Sequence, residues 1–321
     1  MLLMHAAGAL FALWLLSRSL CVLMQCPDEV HFKKGIMRAR AVFGRTTPHA
    51  YLARAQRGWS CWRSTHTSLG VTEHGDDRTI VLLESALALQ RWGTCTSVLE
   101  LGCGNGARSL QLAVREAGGD YIAVDTDADN VQRARSQRGR VHFMHGSPCA
   151  VLSACAPEEL HAVFAVDALG SGLPLDALDR LFSAAQSALL DSGRLVLVDW
   201  FRAPDMRQVA PSVRHATLLS AAEMTALVRP ARHELQVLAR RHGLHLVQQK
   251  SLTRAAIPAC WKAWQRVHFL LHFAPVLRAL CWLHPPLKHA CRAAVARLAT
   301  AHAVRGGGLT YNLLVFECLH Q

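Results

Sequence analysis

A glycine-rich turn directly after a buried strand is the feature that most constrains the fold of this chain. Residues 97–106 read S-V-L-E-L-G-C-G-N-G, so a short apolar run with an acidic residue, Glu100, leads into the turn. A second apolar run over 121–124 ends in Asp125. Such a turn lets backbone approach a nucleotide-like ligand, and a carboxylate on the neighbouring strand can bind ribose hydroxyls. The pattern predicts a ligand site at the carboxyl ends of two parallel strands.

Apolar runs alternate with helical patterns along most of the chain. Helical spacing covers 79–92, 107–117, 128–137, 176–190 and 233–242, with Asp127 or Thr126 as a cap for the third and 191–193 ending the fourth. Strands are expected over 98–101, 121–124, 141–144, 162–166, 194–198, 244–248 and 309–318. Strands and helices that alternate at this spacing predict an α/β fold with a doubly wound, mostly parallel seven-stranded sheet.

Composition favours a large apolar core and reduced cysteines. The chain has 321 residues, of which 51% are hydrophobic, so global disorder is excluded. Its 11 cysteines form no C-x-x-C pair and have no histidine partners at metal spacing, and its 18 histidines are dispersed. This distribution predicts free thiols in a reducing compartment, either the cytosol or an organelle, and no metal site.

Basic charge is concentrated outside the predicted core. Residues 94–200 hold 8 Lys and Arg against 13 Asp and Glu, whereas residues 201–321 hold 16 against 4. The first 24 residues are mostly apolar, with Arg18 as their only charge, and residues 30–72 carry eight basic residues and no acid. These features leave three interpretations open: a weak membrane anchor, an organelle-targeting segment, or an apolar helix packed on the domain. The first two are favoured, which predicts a membrane-associated protein.

The expected domain organisation places one core between two apolar or helical additions. A Trp-rich helical face with Trp261 and Trp264 either packs on the sheet or forms a lid over an apolar substrate. The predicted units are 1–27 as a hydrophobic N-terminal helix that anchors or targets the chain, 28–78 as a helical cap, 79–256 as the ligand-binding core, 257–305 as a helical lid insertion, and 306–321 as the final core strand.

The turn E-L-G-C-G-N-G at 100–106, Asp125 at the end of the next strand, and L-L-D-S-G-R-L at 189–195 together resemble the class I S-adenosylmethionine-dependent methyltransferases. The resemblance covers roughly residues 80–250. Weaker hints make the chain most similar to small-molecule members of the sterol and tocopherol type (methyltransferase type 11): H-T-S-L-G at 66–70, S-L-T at 251–253 with Trp261, and G-G-L-T-Y at 307–311.

The resemblance implies S-adenosylmethionine as cofactor and a set of residues that bind it. Three glycines would pass under the methionine part, Glu100 would hold the amino group directly or through water, and Asp125 would bind the ribose. Ser147 stands where many members carry an Asp near the adenine amine, and G-S at 170–171 where relatives carry a larger side chain. The implied cofactor-binding residues are Glu100, Gly102, Cys103, Gly104, Gly106, Asp125, Thr126, Ser147, Val166 and Asp167.

The implied chemistry is direct, in-line methyl displacement, which depends mainly on positioning and exclusion of water. A general base is needed only when the nucleophile arrives protonated. The candidate catalytic residues are Asp167 and His66, although Asp167 also fits a cap or a cofactor contact and His66 also fits an ordinary loop histidine. The apolar flanks favour a small lipidic or prenylated acceptor at a membrane surface, with no nucleic acid and no metal as partner.

Three other functions remain open on the same residues. The sequence G-x-G-x-x-A starting at Gly102 fits a dinucleotide fingerprint, so an NAD-dependent oxidoreductase is one alternative, although such folds usually begin with the motif. The basic flanks suggest an RNA methyltransferase, but no RNA-binding module is present in the sequence. The unusual Ser147 fits a non-catalytic, membrane-associated protein that binds the cofactor.

Overall fold

A computed structural model describes residues 77–87, 96–115, 119–137, 139–168, 175–211, 213–214, 216, 230–256, 300 and 302–319. Within these residues the sheet has seven strands: β1 (Val98–Leu101), β2 (Tyr121–Asp125), β3 (Val141–His145), β4 (Leu160–Val166), β5 (Leu189–Arg202), β6 (Leu244–Ser251) and β7 (Leu309–Cys318). The helices of the same residues are α1 (Asp77–Leu87), α2 (Ala107–Arg115), α3 (Ala128–Arg135), α4 (Pro148–Ala154), α5 (Leu175–Ala188) and α6 (Arg232–Arg241).

The strand order places a topological switch point in the centre of the sheet. The order is β3-β2-β1-β4-β5-β7-β6, so the chain runs outward from β1 to β3 and then returns to β4 on the other side of β1. Strands β1 to β5 pair in parallel, and β7 pairs antiparallel with both β5 and β6. Ligands of such sheets bind beyond the carboxyl ends of the strands that flank the switch point. The predicted seven-stranded, mostly parallel fold is confirmed.

Helices cover both faces of the sheet, and each face has its own apolar core. One core joins α1, α2 and α3 to the sheet through side chains such as Leu83, Leu112 and Val131. The other joins α4, α5 and α6 through Leu152, Phe182 and Leu235. Because the central strands are covered on both faces, β1 is buried along its whole length and reads as a continuous apolar run apart from Glu100.

Strands β5 and β7 extend beyond the end of β4 and form a wall beside the switch point. The last residue of β4 pairs with Val198, whereas β5 continues to Arg202 in antiparallel register with β7. On this extension Trp200 and Tyr311 lie opposite each other, are fully buried, and have ring centroids 4.7 Å apart. The pair therefore closes one side of the carboxyl edge with rigid aromatic packing.

Most elements begin and end within about three residues of expectation, and the main differences concern the end of α5, both ends of β5, and α4. Helix α5 ends at Ala188 and β5 begins at Leu189, so the expected helix end at 191–193 is wrong: Leu189 already pairs with Leu160 of β4. Helix α4 was not expected. Ser147, predicted at the end of the third strand, is instead the N-cap residue of α4, with Pro148 in its first turn.

Several predicted segments lie outside the described residues. These are the N-terminal helix, the helical cap, and most of the lid, so the predicted domain boundaries stay predictions. No helix within the described part of the chain has both the length and the apolar character needed to cross a membrane.

Candidate functional site

The glycine turn joins β1 to α2 and lies over the end of β2. Its three glycines, Gly102, Gly104 and Gly106, have φ angles of +76°, +58° and +80°. The amides of Gly102 and Cys103 both donate to the carbonyl oxygen of Val124, at 2.8 and 3.1 Å. A Cβ atom on Gly102 would lie 2.4 Å from Cβ of Ala168. Glycine is therefore needed where the turn passes the segment that follows β4.

The carboxylate of Asp125 connects the turn to the end of β2 through a hydrogen bond. Its Oδ2 accepts a hydrogen bond from the amide of Gly104 at 2.8 Å, and its Oδ1 accepts one from the amide of Asp127 at 2.9 Å. The residue is 9% exposed. A carboxylate oxygen can accept two hydrogen bonds, so one acceptor position on each oxygen is left by these two contacts. Two adjacent acceptor positions match the two hydroxyls of a ribose.

The carboxyl ends of β2 and β3 bring the other predicted nucleoside contacts to the same edge. Asp127 caps α3 by accepting hydrogen bonds from the amides of Asp129 and Asn130, so the predicted cap is confirmed at Asp127 rather than Thr126. Nε2 of His145 lies 3.3 Å from the carbonyl oxygen of Thr126. Ser147 is exposed and its hydroxyl makes no cap hydrogen bond. Thr126 and Ser147 therefore lie at the same edge of the sheet as Asp125, and their contact with the cofactor stays a prediction.

Glu100 is fully buried and forms an ion pair that the sequence did not reveal. Nε and Nη2 of Arg108 lie 3.1 and 3.0 Å from its Oε1, and the hydroxyl of Tyr121 donates to its Oε2 at 2.9 Å. Burial opposes the charge on Arg108, but Glu100 and then Asp167 outweigh it and raise the pKa of the guanidinium. Burial and the Glu100 carboxylate raise the pKa of Tyr121, which keeps its phenol protonated as a donor.

A general rule could have pointed to Arg108 and Tyr121. A carboxylate in a fully buried strand needs hydrogen-bond donors or a cation nearby. Arg108 stands eight positions after Glu100, in the first turn of the helix that follows the glycines. The sequence therefore offers one cation at the right end of the sheet, but the partner across β2 depends on strand register.

Asp167 lies at the carboxyl end of β4, in the left-handed region of the backbone. Its φ is +53°, and its amide donates to the carbonyl oxygen of Val198 at 2.9 Å. The preceding Val166 is buried in the core. Asp adopts this conformation more readily than most non-glycine residues, and Glu158 and Ser192 of the described residues share it, so the angle fixes the direction of the chain here without marking a site by itself. The backbone therefore holds this half-buried carboxyl group beside the glycine turn, as its sequence position predicted.

Tyr311 faces Asp167 from the β5–β7 wall. Burial first, and then the carboxylates of Asp167 and Asp199, raise the pKa of its phenol well above the ordinary value. A protonated phenol donates hydrogen bonds, so Tyr311 is suited to orient a neighbouring carboxylate. Sequence reasoning missed Tyr311 because its approach to Asp167 requires the antiparallel register of β7 against β5.

The predictions on His66 and on metal binding are the remaining ones for the site. His66 lies outside the described residues, so its catalytic role stays a prediction. Across the residues that the structure describes, no group of three or more His, Cys, Asp or Glu side chains could hold a metal ion.

A cavity of about 670 Å³ opens beside β3, toward the amino ends of β1, β2 and β4. Its lining residues include Ser97, Asp120 and Glu159, so it lies away from the carboxyl edge that carries Asp125 and Asp167.

Cys103 is expected to resist thiol reagents despite its place in the turn. Burial, together with the negative charges of Glu100 and Asp125, strongly raises the pKa of its thiol. The reactive thiolate therefore becomes abundant only at strongly alkaline pH. Alkylation followed by peptide mass spectrometry should show Cys103 reacting more than about tenfold slower than the half-buried Cys149 at about pH 8. Rapid labelling of Cys103 in the folded chain would contradict this arrangement.

Comparison with known proteins supports the fold. Residues 98–193 match a family described as a methyltransferase domain. This segment contains the glycine turn, Asp125 and Asp167. No curated protein matches the chain.

Solved structures share the fold at low sequence identity. A cyclopropane synthase from Mycobacterium tuberculosis superposes with a TM-score of 0.62 at 13% identity, over 89% of this chain and 98% of the synthase. A protein from Galdieria sulphuraria described as a sarcosine dimethylglycine methyltransferase superposes with a TM-score of 0.59 at 16% identity, over 80% of this chain and 95% of that protein. A third similar structure is a geranyl diphosphate C-methyltransferase from Streptomyces coelicolor A3(2), solved with Mg²⁺, geranyl diphosphate and S-adenosyl-L-homocysteine. It superposes with a TM-score of 0.54 at 17% identity, over 86% of this chain and 100% of that enzyme. The chain thus has the Rossmann-like methyltransferase fold.

Proposed function

We propose that this chain, an enzyme by its methyltransferase domain and fold, uses S-adenosylmethionine to methylate a small acceptor. The cofactor would lie across the carboxyl ends of β1, β2 and β4, between the glycine turn and Asp125. The observation that carries the proposal is the state of Asp125, whose two oxygens each accept one backbone hydrogen bond and keep one further acceptor position. Two such acceptor positions fit the two donor hydroxyls of a vicinal diol held close to the turn.

The charges around the turn support a nucleoside cofactor rather than a dinucleotide. The Glu100 carboxylate is buried directly below the turn, where the pyrophosphate of a dinucleotide would need positive or neutral surroundings. Arg108 neutralises Glu100, and Asp125 and Asp167 add two acidic groups to the same edge. An acidic edge fits a cofactor that carries a sulfonium and an ammonium group. The NAD-dependent alternative is disfavoured on this electrostatic ground.

Replacing Asp125 with alanine is expected to weaken cofactor affinity by about 1–3 kcal/mol, the scale of hydrogen bonds to a charged group. The change removes the ribose acceptors and also releases the amide of Gly104. Isothermal titration with S-adenosylhomocysteine measures the effect. Asp176→Ala is the matched control, because Asp176 belongs to an exposed ion pair with Arg180 on α5 and should bind like the wild type. Equal affinities for both variants would place the ribose elsewhere.

Asp167 is the proposed general base for acceptors that arrive protonated. S-adenosylmethionine supplies an already activated methyl group, so the residues of the chain mainly position the acceptor and exclude water. The carboxylate of Asp167 is oriented by the left-handed backbone and faced by the protonated phenol of Tyr311. In this position it would take a proton from the nucleophile as the methyl group is transferred. Val166 and the Trp200–Tyr311 pair provide rigid walls for that geometry.

The proposed acceptor is a small lipidic or prenylated molecule. The apolar N-terminal segment and the Trp-rich segment after residue 257 motivate this choice from the sequence. Structures with the same fold include proteins named for geranyl diphosphate and for sarcosine and dimethylglycine, which supports a small molecule without selecting between apolar and polar acceptors. The sterol and tocopherol subtype is part of this proposal.

Transfer from cofactor labelled in its methyl group tests the acceptor class. The full chain is incubated with a total lipid extract, a water-soluble metabolite extract, and total RNA in parallel. Label in a chloroform-soluble product is the expected result. Label in water-soluble metabolites or RNA would overturn the lipid assignment while keeping methyl transfer. Cofactor binding without label in any fraction would favour the non-catalytic alternative or a different reaction, since a protein named as a [4+2]-cyclase has the same fold.

Membrane association is proposed together with the lipidic acceptor. Residues 1–24 are apolar and are followed by a strongly basic segment, a combination that suits an anionic membrane surface. Flotation with vesicles containing phosphatidylserine should carry the full chain upward, and deletion of residues 1–24 should reduce the floated fraction. A full chain that stays with the soluble fraction would contradict the proposal.

A further inference from the structure

Arg108 is a partly buried cation in the first turn of α2, on the far side of the glycine turn from Glu100. Its side chain is 14% exposed, and its guanidinium is directed at a single carboxylate oxygen of Glu100 through two nitrogen atoms. Tyr121 of β2 binds the other oxygen. The three side chains therefore link the end of β1, the start of α2 and the beginning of β2 beneath the turn.

Folding stability alone gives a weak reason for such a cluster. Buried ion pairs can often be replaced by apolar side chains of similar volume at little cost in stability. A fixed turn, in contrast, requires restraint of both its ends, because its three glycines have wide conformational freedom. Glu100 and Arg108 are the residues that flank this turn, and their ion pair joins its two ends.

We infer that Arg108 is a positioning residue for the cofactor: by pairing with Glu100 it holds the glycine turn in the conformation that receives the nucleoside. The inference rests on the proposed function and adds to it a residue with no assigned role. Arg108 acts through Glu100 and the turn rather than through contact with the reacting atoms. Glu100 in turn is the buried carboxylate that Arg108 and Tyr121 both bind, one at each oxygen.

The test compares variants that do not leave an unpaired buried anion. Glu100→Gln removes the negative charge, keeps one oxygen that can accept from Arg108, and places an amide group that can donate to the hydroxyl of Tyr121. Glu100→Gln with Arg108→Met then also removes the cation. Arg108→Lys keeps a charge with poorer geometry. Arg180→Met is the matched control, because Arg180 forms an exposed pair with Asp176 one turn along α5. Calorimetry with S-adenosylhomocysteine and a thermal melt are recorded for each full-length protein.

We expect the double variant to bind S-adenosylhomocysteine about tenfold more weakly than Glu100→Gln, or worse, while melting at the same temperature or higher, because it no longer holds a cation without its counter-charge. Arg108→Lys should recover part of the affinity, and Arg180→Met should bind within about twofold of the wild type. A merely structural Arg108 would lower the melting temperature and leave the affinity of the folded protein unchanged, which would overturn the inference.

A second result would also overturn it. If Glu100 bound the cofactor's amino group directly, the affinity would already be lost in Glu100→Gln, and the double variant would bind no more weakly than that variant. Failure of the wild type to bind S-adenosylhomocysteine would instead contradict the proposed function itself. The two failures are therefore distinguished by the wild-type titration.

Discussion

Replacing Gly104 with valine is expected to abolish cofactor binding, with affinity reduced by at least about 100-fold. Gly104 is buried in the turn at φ +58°, and its amide is held by Asp125 at 2.8 Å. A β-branched residue in this conformation is strained by about 1–3 kcal/mol. Relief of that strain would move the amide away from Asp125, and the added side chain would occupy space that the cofactor needs. Titration with S-adenosylhomocysteine measures the loss.

Gly307→Val is the control that separates the effect of backbone strain from the effect of a side chain placed in the cofactor site. Gly307 has φ +74°, and no atom lies within 4 Å of the position that its Cβ would take. It is exposed just before β7, so valine there introduces comparable backbone strain at a distance from Asp125. This control should melt at a lower temperature and bind the cofactor like the wild type. Wild-type affinity in Gly104→Val would mean that no cofactor crosses the turn.

Asp167→Asn is expected to lower the rate of methyl transfer by about 100-fold or more, the usual contribution of a general base. Asparagine tolerates the left-handed backbone better than most residues, so the conformation at φ +53° should persist while the carboxylate is lost. Cofactor affinity should fall by much less than the rate, by no more than about tenfold, because the change preserves the size of the side chain and Asp125 keeps its charge at the same edge. The rate is measured with the acceptor identified by methyl labelling.

Glu158→Gln is the matched control for this acid-to-amide change. Glu158 has the same φ of 53° but is exposed, before β4 rather than after it. Its rate should equal that of the wild type. An unchanged rate in Asp167→Asn would show that the nucleophile arrives without a proton to lose, and Asp167 would then only position the acceptor or the cofactor.

The order of elements was predictable because both faces of the central strands are covered. Continuous apolar runs such as residues 98–101 and 162–166, separated by helical patterns, are typical of parallel strands buried on both faces. The short helix α4 escaped prediction because its seven residues, P-C-A-V-L-S-A, are too few to give a clear helical period. The end of α5 was misplaced because a D-S-G sequence is a common helix stop, whereas here it lies inside β5.

The cofactor side of the site was more predictable than its supporting contacts. Asp125 and the glycines are adjacent to strand ends in the sequence, so their meeting follows from parallel pairing of β1 and β2. The partner of Glu100 on β2 and the position of Tyr311 beside Asp167 depend on strand register. In particular, Tyr311 reaches its place only through the antiparallel pairing of β7 with the extension of β5. Such long-range pairings leave no local pattern in a single sequence.

The central claim is that the carboxyl edge formed by the glycine turn and Asp125 holds S-adenosylmethionine. Titration of the full-length chain with S-adenosylhomocysteine, in the absence and presence of excess NAD, tests it most directly. We predict saturable one-to-one binding, micromolar or tighter, that NAD does not compete away. Binding of NAD with no heat from S-adenosylhomocysteine would contradict it.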